Sequence, residues 1–170
     1  NDWVRDNTNG TPFAGFQDEE TYGVTFGGPL IKDTLFFFAN YEQFTRNAPG
    51  PSFGIDGSGA SNPVTITPQE IIDVQQIATD VWGFDPGTLD VPDALKTDVE
   101  EYAIKLDWNI NEDHRASYRY SKMEQVDPVL PGFSSRSLSL NSYWYNQVKT
   151  FESHVAQVYS DWTDTFSTEF

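Results

Sequence analysis

The 170-residue chain carries 26 Asp and Glu against 10 Lys and Arg, a net charge of −16. A surface that grips a phosphate backbone needs the opposite sign, which argues against nucleic acid as a partner. Cysteine is absent, removing disulfides and thiolate metal sites, and no window reaches the roughly 18 continuous apolar residues of a membrane helix.

A membrane-crossing strand stays open, because it needs only about 9–11 residues with every second one apolar. The aromatic content bears on that choice: 13 Phe, 8 Tyr and 5 Trp make up 15% of the chain. A soluble domain would bury them, whereas a barrel wall would carry them on its outside, with Trp and Tyr near the headgroups. The chain opens at Asn1 without Met, and "TDTFSTEF" closes on what reads as the start of another strand; both ends are expected to be interior to a longer chain.

Residues 1–20, rich in Asn, Asp and Gly, read as a lead-in segment, with "NGT" at 9–11 matching a glycosylation sequon. Alternation starts at Tyr22, with Tyr22, Val24 and Phe26 on one face and Gly23, Thr25 and Gly27 on the other. Gly28 and Pro29 predict a bulge, an edge or a close backbone approach. After a turn at Lys32–Thr34 comes Leu35 to Phe44. Leu35, Phe37, Ala39 and Tyr41 form an apolar face; Phe36, Phe38, Asn40 and Glu42 form one that becomes polar. Residues 21–44 therefore read as a hairpin.

A large acidic loop is expected at 46–100, far longer than an ordinary connection. Between Asn47 and Glu101 it holds ten Asp or Glu and one Lys. Inside it, Thr67, Pro68 and Glu70 have the spacing of a capping box with proline in the first turn, and Gly83 is the expected stop. Ile71, Val74, Ala78 and Val81 give the helical stripe.

The alternation is cleanest in "YAIKLDWNI". Tyr102, Ile104, Leu106, Trp108 and Ile110 share one face; Ala103, Lys105, Asp107 and Asn109 share the other. After the turn "NEDH", Ala116, Tyr118 and Tyr120 oppose Arg115, Ser117 and Arg119. A second long loop spans 123–141. Tyr143 to Trp162 reads as one long bulged strand or two shorter pieces, with its phase broken near Ser153–Ala156. Short turns near 32–34, 111–114 and 164–167 thus alternate with long connections, as in an outer-membrane barrel. A soluble sandwich can share that pattern, but it would put its apolar face into a packed core.

The residues offer little for catalysis. His114 sits in a turn, where it caps or meets solvent, and His154 has no ligand-like spacing. Ser153 and His154 would face opposite sides of a strand. Asp85, Asp90 and Asp93 do not fit a calcium loop, with its fixed glycine and terminal glutamate, and read as a solvated acidic face. "FGG" at 26–28 lacks the fuller glycine pattern and the helix of a phosphate loop. A glycan-active enzyme would need two carboxylates held about 5–9 Å apart, and no pair is singled out. The expectation is a protein without enzymatic activity, cofactor or metal.

Against that background, "YGVTFGGPLIKDTLFFFANYEQF" at 22–44 resembles the first barrel hairpin of TonB-dependent outer-membrane receptors, and most closely their Oar-like branch with a carboxypeptidase-regulatory-like domain. "YAIKLDWNINEDHRASYRYS" at 102–121 is similar to the next periplasmic hairpin, "VWGFDPGT" at 81–88 to part of the large outer loop, and "WTDTFSTEF" at 162–170 to a third turn. The resemblance implies an all-β fold: about five strands of a larger antiparallel transmembrane barrel, over 21–170. It implies a place in the cell outer membrane and a part in moving cargo across it. The implied partners are outer-membrane lipid, the remaining barrel and plug, TonB through a segment outside this sequence, and an unspecified cargo. Phe37, Tyr41, Ile104, Leu106, Trp108 and Tyr118 would then face lipid, and Asn40, Glu42, Lys105, Asp107, Arg115 and Arg119 the lumen. The alternative is a secreted or surface β-sandwich that binds or adheres without catalysis.

Overall fold

A computed structural model describes residues 15–170. Most of the lead-in, with its sequon at 9–11, lies outside the described residues. The main element is an antiparallel sheet of six strands. In chain order these are β1 (Asp18–Ile31), β2 (Leu35–Pro49), β5 (Ala94–Asn109), β6 (His114–Val129), β7 (Tyr145–Thr163) and β8 (Phe166–Glu169). They lie side by side in the order in which the chain makes them. Two three-residue strands, β3 (Phe53–Ile55) and β4 (Asn62–Val64), pair in parallel. The expected five strands become six because the closing "FSTE" already pairs with Tyr159–Thr163.

The chain divides into two compact units. One comprises 20–45, 98–126 and 148–170 and is built of sheet and tight turns. Its first turn closes where expected, Thr34 N–H donating to Ile31 O at 3.1 Å, with Asp33 at φ 60°. Aspartate tolerates this left-handed conformation better than most residues. In the second turn Asn111 Oδ1 accepts from the backbone of Asp113 and His114, a local bond that lets asparagine mimic a backbone turn. β1 runs unbroken through Gly28 and Pro29. Of the options open there, the edge position applies: an edge strand does not need the donor that proline lacks. β7 likewise runs as one strand of 19 residues. Its register shift lies between Asp161 and Thr163, later than the broken phase in the sequence suggests.

The other unit comprises, among the described residues, 15–19, 46–97 and 127–147. Several boundaries move here. β1 starts at Asp18 instead of in the low twenties, β2 continues to Pro49, and β5 begins at Ala94, so the first long connection is 50–93. Pairing outlasts the apolar alternation because backbone and side-chain partners remain: Gln17 N–H donates to Asn47 O, and Asn47 Nδ2 to Asp18. β6 likewise extends to Val129. The helix α1 (Pro68–Trp82) has the anticipated termini, with the reciprocal Thr67–Glu70 capping box and Gly83 at φ 63°. Its stripe is rotated from the expected one. Ile71, Gln75 and Ala78 are half-buried, while Val74 and Val81 face solvent. Gln75 turns inward because its amide donates to Gly87 O at 2.6 Å.

Candidate functional site: the two faces of the sheet

The sheet's chemistry follows from which residues share a face. Across β5 and β6 the register pairs Ile104 with Tyr120, Leu106 with Tyr118 and Trp108 with Ala116. Paired residues project to the same side, so these make one apolar surface. Asn109 N–H donates to Thr34 O, and Thr45 Oγ1 to Asp98, two contacts with one antiparallel offset. That offset sets Leu35, Phe37, Ala39 and Tyr41 on the side of Tyr102, Ile104, Leu106 and Trp108. The Phe26 ring, 5.3 Å from that of Phe37, carries the surface onto β1.

This apolar face is uncovered: Phe26 is 70% exposed, and Ile104 and Trp108 are each 49% exposed. Among the described residues the only buried hydrophobic side chain is Val64, which lies in the loop-bearing unit. The strands and turns at 20–45, 98–126 and 148–170 therefore contain no packed core of their own.

The opposite face mixes charge and small residues. Lys105 lies across from Arg119, Asp107 from Ser117, and Asn109 from Arg115. Lys105 Nζ reaches Asp107 Oδ1 at 2.8 Å along the same strand, which offsets the like charge opposite it. Arg115 stacks over Tyr159, 4.6 Å from the ring centroid. Gly23 and Gly27 are directed to this side. A Cβ on Gly23 would lie 3.7 Å from Glu42 Oε2, and one on Gly27 would meet Phe37 O at 2.9 Å and the Phe38 ring at 3.4 Å. Of the six polar candidates the structure thus brings Lys105 and Asp107 into direct contact, with Arg119 across from Lys105. Asn40, Glu42 and Arg115 lie at other positions on their strands.

Two features escaped the sequence reading. The first is a polar group on the apolar face. Tyr118 Oη and His154 Nδ1 are 2.7 Å apart, Tyr120 Oη donates to Glu152 Oε1 at 2.8 Å, and the Tyr120 and His154 rings meet at a tilt of 42° with centroids 4.8 Å apart. Glu152 and His154 are two apart and so share a face, but the strand's phase was obscure and gave no way to say which. The second is a cleft of about 920 Å³ at the turns, lined by residues that include Asp33, Asn111, His114, Ser160 and Glu169. His114 starts β6, and its backbone carbonyl closes the turn by accepting from Ile110 and Asn111 N–H. Its half-buried side chain lines the cleft, with the ring 5.0 Å from that of Trp162 and Nδ1 buried without a partner.

Among the described residues, no cluster of three or more His, Asp or Glu could hold a metal ion. Asp85 instead accepts from Gly87 N–H and Asp90 from the Thr88 hydroxyl. The chain matches no family model, no curated protein and no solved structure.

Proposed function

We propose that this chain is part of the wall of an outer-membrane, TonB-dependent transporter that moves cargo across that membrane. The observation that carries the reading is the uncovered apolar face. In a sheet of six antiparallel strands in sequential order, β1, β2, β5 and β6 expose aromatic and aliphatic side chains on one side and a mixed-charge surface on the other, while β7 adds Glu152 and His154 to the apolar side. In water such a face would aggregate. Against lipid it is the required surface, provided that closure into a barrel satisfies every backbone group. Lys105, Asp107, Arg115 and Arg119 then suit a wet or plugged lumen. The short turns at 32–34 and 111–113 fit the periplasmic side and the long acidic connection the outer side. The competing sandwich calls for a second layer over the aromatic face, and the strands at 20–45, 98–126 and 148–170 form only one layer.

Membrane fractionation of the native full-length product, with detergent extraction and gel migration before and after boiling, tests the proposal. An outer-membrane species that runs faster unheated is expected. A soluble protein of about the size of this chain in the periplasm or medium would overturn it.

A further inference from the structure

The helix α1 presents apolar side chains to solvent in a segment dominated by negative charge. Val74, Ile77 and Val81 are 54%, 55% and 71% exposed. At about 100° per residue they fall within one narrow stripe. Asp73 and Asp80, seven residues apart, run along one flank of that stripe, and Glu70 stands at its N-terminal end. The last turn has no basic residue. The flank of the stripe away from Asp73 and Asp80 is engaged by its own unit through Ile71, Ala78 and the Gln75–Gly87 bond. The stripe is thus an additional surface and is not needed to seat the helix.

We propose that this stripe docks a basic amphipathic polypeptide segment, one whose apolar side chains are flanked by Lys or Arg. Charge complementarity selects that occupant. Docking onto Val74, Ile77 and Val81 brings the partner's flanks beside Asp73 and Asp80. An acidic partner would meet like charge there, in a stretch of ten carboxylates and one Lys between Asn47 and Glu101. Apolar burial supplies affinity, while the carboxylates choose the partner and speed its approach. The capping box holds the helix formed before the partner arrives, lowering the ordering cost of binding. The inference stands on the helix and its charges and does not depend on the transport reading.

The test uses the native full-length product in detergent and a fluorescein-labelled, 18-residue helical peptide of Leu and Lys, with a Leu and Glu peptide of the same pattern as control. The Lys peptide is expected to bind at least tenfold more tightly and to weaken as salt rises. Val74→Ser/Ile77→Ser/Val81→Ser is expected to lose at least tenfold. Asp73→Asn/Asp80→Asn, which leaves the apolar stripe untouched, is expected to lose severalfold and flatten the salt dependence. Hydrogen exchange of the α1 amides checks that both variants keep the helix. Equal binding of the two peptides, or affinity unchanged in either variant, would overturn the proposal. So would protection of a Val81→Cys thiol from labelling in the absence of peptide, because another part of the same polypeptide would then cover the stripe.

Discussion

Asn141 and Thr88 hold each other by three hydrogen bonds: Asn141 N–H to Thr88 O at 2.8 Å, Thr88 N–H to Asn141 Oδ1 at 3.1 Å, and Asn141 Nδ2 to Thr88 Oγ1 at 3.2 Å. They lie 53 positions apart, on the two long connections, so the pair ties together segments that the sequence presents as independent loops. Asn141→Ala removes the two side-chain bonds and keeps the backbone one. At partly exposed positions the loss is about 1 kcal/mol. The expected result is faster proteolytic nicking within 83–93 and 130–144, with the sheet unaffected. Gly87→Ala should act in the same way, because its Cβ would overlap the Asn141 side chain and its φ of 72° disfavours alanine.

The start of α1 makes its stability pH-dependent. The Thr67 backbone N–H, and after it the Thr67 hydroxyl, bond the Glu70 carboxylate and hold its pKa below the usual 4.5. A carboxyl group whose pKa is depressed by folding stabilises the folded state above its unfolded pKa. That contribution fades as pH falls through the folded value. Protection of the first-turn amides of α1, measured relative to their intrinsic exchange rate at each pH, should therefore fall below about pH 4.5. In Glu70→Gln that acid step should disappear. Thr67→Ala, which removes the cap itself, should weaken the helix by about 1 kcal/mol at neutral pH and, by removing the hydroxyl's bond to the Glu70 carboxylate, should also make the acid step smaller.

Where the sequence was legible, a local rule spoke with a definite residue. Thr67, Pro68 and Gly83 fixed both ends of the helix, and the turn at Lys32–Thr34 fixed the first hairpin. The faces of β2, β5 and β6 followed from a side-chain period of two, which needs no tertiary information. Strand ends were less legible, because polar pairs such as Asn47 with Asp18 extend the ladder without extending the apolar pattern. The side on which Glu152 and His154 lie depends on the offset between β6 and β7, a long-range choice that composition does not encode. The orientation of α1 turned on a single amide, Gln75, whose bond to Gly87 draws a polar residue inward.

Two glycines on the mixed-charge face should respond differently to added bulk. At Gly27 a Cβ would come within 2.9 Å of Phe37 O, a backbone atom that can move only with its strand. At Gly23 the nearest atom lies at 3.4 Å, an ordinary contact. Gly27→Ala is expected to destabilise the sheet by about 1–3 kcal/mol, the usual range for overpacking. Gly23→Ala should be close to neutral. Urea midpoints of the folded full-length protein measure the difference; equal midpoints would mean that β1 and β2 are not packed as closely as Gly27 requires.

The sharpest test of the face assignment sets two adjacent registers against each other. Leu106 pairs with Tyr118 on the apolar side, and Asp107 pairs with Ser117 on the other. An arginine in place of Leu106 would enter the surface proposed to meet hydrocarbon, where charge costs about 2–4 kcal/mol at midplane depth and less toward the headgroups. An arginine in place of Ser117 would join Lys105, Arg115 and Arg119 beside Asp107, on a face proposed to be wet, and should cost less than about 1 kcal/mol. Leu106→Arg should therefore fold poorly into lipid vesicles while Ser117→Arg folds like the parent, as read from the heat-modifiable fraction and its urea midpoint. If Ser117→Arg were the damaging change, the faces would be reversed, with lipid on the side of Lys105 and Asp107. If neither mattered, neither face would meet hydrocarbon and the barrel reading would fail.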